Sequence, residues 1–110
     1  MFKLVPDPTF IVAVPLSVPG LPARLDVQIT FKNKSRTALQ AWINSASSKQ
    51  DFVLLGEVIE SWSGLQDANG EPVPFSLTAL SDLIENYGAA HVEIYRAYLA
   101  ELTKSKEKNS

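Results

Sequence analysis

Residues 57–98 read EVIESWSGLQ DANGEPVPFS LTALSDLIEN YGAAHVEIYR AY. An apolar run ends at Trp62, a turn-rich loop follows, and Pro74-Phe75-Ser76 opens two further amphipathic segments. Ser76 is suited to cap a helix, because its hydroxyl can accept an amide left unpaired in the first turn. Leu77, Leu80, Leu83, Ile84 and Tyr87 then recur at helical spacing. Asn86-Tyr87-Gly88 stops that helix, with Gly88 expected in a left-handed cap. A last helix carries Ile94, Tyr95, Tyr98, Leu99 and Leu102 on one face, with Glu93 and Arg96 spaced as a wet-side pair. Between the apolar run and Ser76 lie thirteen residues, Ser63 to Phe75, punctuated by Asp67-Ala68-Asn69-Gly70. A connection that long points to a packed Ω-loop or a functional loop.

Moving toward the N-terminus, Asp51 to Trp62 places Phe52, Leu55, Ile59 and Trp62 on one stripe, widened by Val58, and predicts a helix. Val53 and Leu54 fall off that stripe. Before it, Ser35 caps a helix whose buried face is Ala38, Leu39, Trp42, Ile43 and Ala46. Earlier still the period changes to two. Phe10, Val12, Val14, Leu16 and Val18 share one parity, as do Leu25, Val27, Ile29 and Phe31. These are two strands joined by the turn Pro19-Gly20-Leu21-Pro22, paired as an antiparallel hairpin. A lone hairpin is marginal in water, so its apolar face must pack on the helices. Residues 1–9 hold Pro6 and Pro8 and form an extended lead-in.

The expected fold is therefore α+β: an N-terminal antiparallel β-hairpin, about residues 10–32, packed against a bundle of about four α-helices. The helices span about 35–46, 51–62, 76–87 and 89–104. Residues 1–104 read as one globular domain and 105–110, with three charged residues and no apolar anchor, as a flexible tail.

The chain has 110 residues, enough for one modest core. Hydrophobic residues at 45% and a net charge of −2 exclude wholesale disorder and remove any global pull toward nucleic acid. Cysteine is absent, so neither disulfides nor thiolate chemistry enter. The apolar N-terminal run is broken by Pro15 and Pro19 and preceded by Asp7, which argues against a signal peptide. No run is long enough to span a bilayer.

The residues do not assemble into a catalytic set. His91 is the only histidine and has no cysteine or second histidine to join it in a zinc site. Asp67, Asn69 and Glu71 alternate loosely like a calcium loop, but Gly70 sits at the fourth position rather than the sixth. Ser61 and Ser63 lack a nucleophile elbow. The pairs Glu57/Glu60 and Asp82/Glu85 lie on wet helix faces, where neither member is pushed toward general-acid work. Lys32, Lys34 and Arg36 cluster without interleaved aromatics, which weakens a single-strand nucleic-acid reading. No enzyme, metal or cofactor is expected.

The order of short motifs is more informative. Phe2 to Phe10 reads FKLVPDPTF, the hairpin ends in TFK at Thr30 to Lys32, and SWSGL stands at Ser61 to Leu65. GEPVPFS follows at Gly70 to Ser76, LSDLIENY at Leu80 to Tyr87, AYL at Ala97 to Leu99 and KN at Lys108 and Asn109. This ordered set, spread over nearly the whole chain, resembles the phage tail assembly chaperone family of long-tailed phages and prophages. One departure is Gly88, where the family pattern places a proline; both residues stop the preceding helix.

The resemblance implies a non-enzymatic protein that binds the tape measure protein, keeps it soluble and promotes tail tube assembly. It implies action in the cytoplasm of the bacterial host and absence from the mature virion. It also implies a longer form made by ribosomal frameshifting and contact with the tail tube protein as further partners, and homo-oligomers fit several copies coating one long tape measure. Candidate contacts are Val53 and Leu54, off their helix's stripe, and the loop residues Leu65, Val73 and Phe75, each weighed against ordinary burial. Two other classes compete: a minor structural component of the tail, and a small regulatory interaction domain.

Overall fold

The computed structural model describes residues 1–104, so the expected tail at 105–110 lies outside the described residues. The α+β reading holds: a three-stranded antiparallel sheet in the order β1-β2-β3 is joined by four helices. Strands β1 (Thr9–Leu16) and β2 (Leu25–Lys32) pair along their full length, from Thr9↔Lys32 at one end to Leu16↔Leu25 at the other. Gly20 takes φ +90 in the connecting turn. The turn closes where the Leu21 amide donates to the Val18 carbonyl at 3.0 Å. Alternation sorts most side chains as expected: Val14, Leu16, Val27, Ile29 and Phe31 are buried, whereas Ile11, Ala13, Asp26 and Gln28 face outward; Leu25, expected on the inward face, is exposed at the turn end of the hairpin.

The third strand corrects the sequence reading. The segment expected as one helix over 51–62 splits into α2 (Asp51–Gly56) and β3 (Ile59–Ser63), which pairs with β2. The register runs Ile29↔Trp62, Thr30↔Ser61, then Phe31↔Ile59, so Glu60 is an additional residue, a β-bulge. The bulge shifts parity within the strand. Ile59 and Trp62 therefore both point inward although three residues apart, and that spacing imitates a helical stripe. Glycine at position 56 lets α3 approach closely: the Leu77 side chain lies where a side chain at 56 would stand.

Helix α1 (Arg36–Asn44) is capped by Ser35, whose Oγ accepts from the Ala38 amide at 3.1 Å. A 3₁₀ turn at Ala46–Ser48 follows. Helix α3 (Leu77–Asn86) is capped by Ser76 in the same way at 3.0 Å, and α4 spans Ala90–Thr103. Gly88 does not adopt the left-handed cap expected of it; α3 ends at Tyr87 in an extended conformation, φ −127 and ψ 100.

The buried side chains form one cluster drawn from all three strands and all four helices. Tyr98 of α4 is its hub. Its ring lies 4.9 Å from Phe31, 6.0 Å from Phe10 and 5.2 Å from Trp42, and its hydroxyl donates to the Lys32 carbonyl at 2.8 Å. The helices are not a single clear bundle. Helix α2 packs against α3 and α4, while α1 joins through Trp42, stacked on Tyr95 at 5.4 Å. The Trp42 indole also donates to the Leu54 carbonyl at 3.0 Å, tying α1 to α2. With one turn or two apiece, α2 and α1 are too short to run the length of a bundle.

Candidate functional site

Beyond β3 the chain turns sharply at Gly64, φ +97. It then closes on itself: the Val73 amide donates to the Leu65 carbonyl at 3.0 Å, and Gln66 bridges to Pro72. The Asp67 carboxylate organises the tip, accepting from the amides of Asn69 and Glu71 at 2.8 and 3.0 Å. That oxygen serves the turn itself. Gly70 supplies the second positive φ, +79. The long connection is thus a packed loop held by backbone bonds, and Trp62 anchors it from below. Its indole N–H donates to the Val73 carbonyl at 2.8 Å, and its ring meets Phe75 edge-on at 5.1 Å.

Between this loop and α3 lies a cleft of about 340 Å³, floored by Trp62 and walled by Leu65, Val73, Leu83 and Tyr87. A second hollow of about 440 Å³ continues it toward the Leu16↔Leu25 end of the hairpin and shares Leu65, Leu83 and Tyr87. Among the described residues the charged side chains lining the two are Asp26, Asp67 and Asp82, with no lysine, arginine or histidine. All three carboxylates are on exposed residues. The arrangement is an apolar trough with an acidic rim.

Two of the five residues expected to contact a partner, Leu65 and Val73, line this trough. Phe75 stands behind it, half-buried against Trp62. Val53 lies on α2, outside the lining of both hollows, and is 36% exposed. Leu54 is a correction: it is 3% exposed, a core residue whose carbonyl receives the Trp42 indole, so it presents no surface to a partner. Tyr87 and Leu83, read from the sequence as the core face of a helix, form the facing wall. Only Tyr87's place at the helix end, before Gly88, hinted at exposure.

The titratable groups elsewhere serve the fold. His91 Nε2 lies 3.4 Å from an Asp51 oxygen, between α4 and α2. Glu93 does not pair with Arg96 as expected among the described residues. It reaches across to the hairpin turn, accepting from the Ser17 amide at 2.9 Å and from the Ser17 hydroxyl, with Arg24 Nε at 3.6 Å. Burial alone would push the Glu93 carboxyl up. The Ser17 hydrogen bonds and the Arg24 charge outweigh it and hold the group below its ordinary value. Burial raises the Tyr98 phenol to about 12. Among the described residues no group of three His, Asp or Glu side chains is placed to hold a metal ion, and no helix is long and apolar enough to cross a membrane.

A family model described as phage tail assembly chaperone matches residues 1–109 of the chain. No curated protein and no solved structure matches it.

Proposed function

The chain belongs to the phage tail assembly chaperone family, and from that premise we propose that it binds the tape measure protein through the trough between the 64–75 loop and α3. The family implies a non-enzymatic role in tail assembly. The observation that carries the finer reading is the apolar trough with an acidic rim. A tape measure segment that is helical, apolar on one face and flanked by lysine or arginine fits it: the apolar stripe enters the groove and the cations meet Asp26, Asp67 and Asp82. Covering such a stripe keeps the segment from aggregating until the tail tube forms around it. On this reading the protein acts in the cytoplasm of the bacterial host and leaves before the virion is complete. A frameshifted longer form and the tail tube protein are its further partners.

Co-expression with the tape measure protein tests this. The expected result is a soluble tape measure that co-purifies with the chain, and its loss when Tyr87→Asp or Val73→Asp places a carboxylate in the trough of a still-folded protein. A tape measure that stays insoluble beside the wild-type chain overturns the proposal. Val53→Asp reports separately on α2, since Val53 stands outside the trough. Leu54→Asp would instead unfold the core and answers nothing about binding.

A further inference from the structure

The tip of the loop beside the trough, Asp67-Ala68-Asn69-Gly70, holds a reactive pair. The chain has five asparagines, and only Asn69 is followed by glycine. Glycine has no Cβ to keep its amide nitrogen from the carboxamide carbon of the residue before it. Asn69 and Gly70 are both exposed. The backbone around them is pinned on Asp67. Its carboxylate accepts the amides of Asn69 and Glu71, and its carbonyl accepts the Gly70 amide at 3.0 Å. The Asn69 carboxamide itself has no hydrogen-bond partner among the described residues.

The other asparagines of the fold are committed. The Asn33 side chain donates to the Asp7 carbonyl at 3.2 Å and accepts the Lys34 amide at 2.9 Å. Asn44 and Asn86 end α1 and α3, and the amides after them bond to the carbonyls of Ala41 and Leu83 at 3.1 and 3.0 Å. The Gly70 amide is held by a single turn bond at an exposed tip. Such a tip opens locally at far lower cost than a helix packed on the core.

We infer that Asn69 deamidates spontaneously through Gly70 and that the product loosens the loop wall of the trough. The Gly70 nitrogen attacks the Asn69 carboxamide carbon. A ring imide forms, and the side-chain nitrogen leaves as ammonia, taking the proton given up by Gly70. Water then opens the imide. Cleavage at the side-chain carbonyl leaves aspartate, and cleavage at the main-chain carbonyl leaves isoaspartate. The turn bond is the gate, because the Gly70 N–H must leave the Asp67 carbonyl before its nitrogen can attack.

Isoaspartate adds a carbon to the main chain inside the turn. The two carboxylate bonds of Asp67 and the bond from the Asp67 amide to the Glu71 carbonyl, 2.9 Å, all straddle or end at position 69 and lose their spacing. Those bonds close the strip whose lower end joins Val73 to Leu65, both in the trough lining. Either product also sets a new carboxylate between Asp67 and Glu71, where like charges repel. The reaction needs water alone and is the same whether or not the tape measure binds in the trough.

Ageing the purified chain at neutral and mildly alkaline pH tests this. Wild type should accumulate an acidic species on anion exchange, with ammonia released in step. Peptide mapping should place the amide-to-acid exchange at position 69, mostly as isoaspartate, and not at Asn33, Asn44 or Asn86. The rate should rise in proportion to hydroxide and rise further in urea, where the turn bond is gone. Asn69→Gln, which would have to close a larger ring, should stay a single species. The separated aged chain should exchange amides faster over residues 64–75 with β1 and β2 unchanged. Asn69→Asp, which has the charge without the added carbon, should show a smaller change. A folded chain that keeps its amide while the urea-unfolded chain loses it overturns the inference, as does exchange mapped to another asparagine or an acidic species that persists in Asn69→Gln. An aged chain with wild-type exchange over 64–75 refutes the loosening of the wall.

Discussion

The Trp62 indole donates its N–H to the carbonyl of Val73 at 2.8 Å, so a sheet residue fixes the height of the loop that walls the trough. Trp62→Phe keeps an aromatic ring beside Phe75 but leaves that carbonyl without its donor. The expected cost is about 1–2 kcal/mol in urea unfolding. Amide exchange should quicken across residues 64–75 and stay unchanged in β1 and β2. Uniform acceleration across the chain would mean that the loop has no separate hold on Trp62.

Gly64 and Gly88 should part company when replaced by alanine. Gly64 has φ +97, a conformation costing a residue with a Cβ about 1–2 kcal/mol. Gly88 lacks a positive φ, and a Cβ added there meets nothing within 4 Å. Gly64→Ala is expected to lower the urea midpoint, and Gly88→Ala to hold or raise it by restricting the unfolded chain. Equal losses at both positions would restore the left-handed cap that the sequence suggested for Gly88.

The Glu93 carboxyl joins α4 to the hairpin turn through Ser17 and Arg24, and its folded value lies below the ordinary 4.5. A depressed folded value adds stability that is full above the unfolded value and is lost as pH falls through the folded one. Wild-type stability should therefore drop as acid is added below about pH 4.5, and Glu93→Gln should flatten that drop. The same variant should cost about 1.5–3 kcal/mol at neutral pH, the worth of hydrogen bonds to a charged acceptor. An identical acid slope in both proteins would show that other carboxylates carry it.

Tyr98 gives the opposite slope at the alkaline end. Its phenol is raised to about 12 by burial, against an ordinary value of 10.0. Between those values the folded chain holds a proton that the unfolded chain has released, so stability falls as pH rises. Two units correspond to about 2.7 kcal/mol, an upper figure. Tyr98→Phe removes this part of the slope and the bond to the Lys32 carbonyl, so its deficit relative to wild type should shrink between about pH 9 and about pH 11.5. Urea titrations at the two pH values decide it.

Much of the fold was legible because its signals are local. Parity marks β1 and β2 without reference to anything distant, and Ser35 and Ser76 announce helix starts through bonds spanning three residues. The misread segment fails for an equally local reason: the bulge at Glu60 makes a strand wear a helix's spacing. Leu54 was misplaced because α2 is a short helix enclosed on more than one side, so a single-stripe pattern undercounts its buried residues. The trough was legible only in halves. Leu65 and Val73 stood out as apolar residues in a loop, but their facing wall, Leu83 and Tyr87, comes from a helix whose approach is set by tertiary contacts.

The bulge at Glu60 also sets how this gene can vary. Its side chain is exposed and its position has no partner in the β2 register, so changing the residue should cost little. Removing it should be tolerated as well. Without Glu60, Ile59 and Trp62 stand two residues apart, the spacing that puts both on one face of a strand. The pairs Phe31↔Ile59, Thr30↔Ser61 and Ile29↔Trp62 then follow one another without a break, and the floor of the trough stays where it is. Position 60 should therefore accept almost any letter and a gap too, and a deletion scan set beside a substitution scan would show the two tolerances agree there.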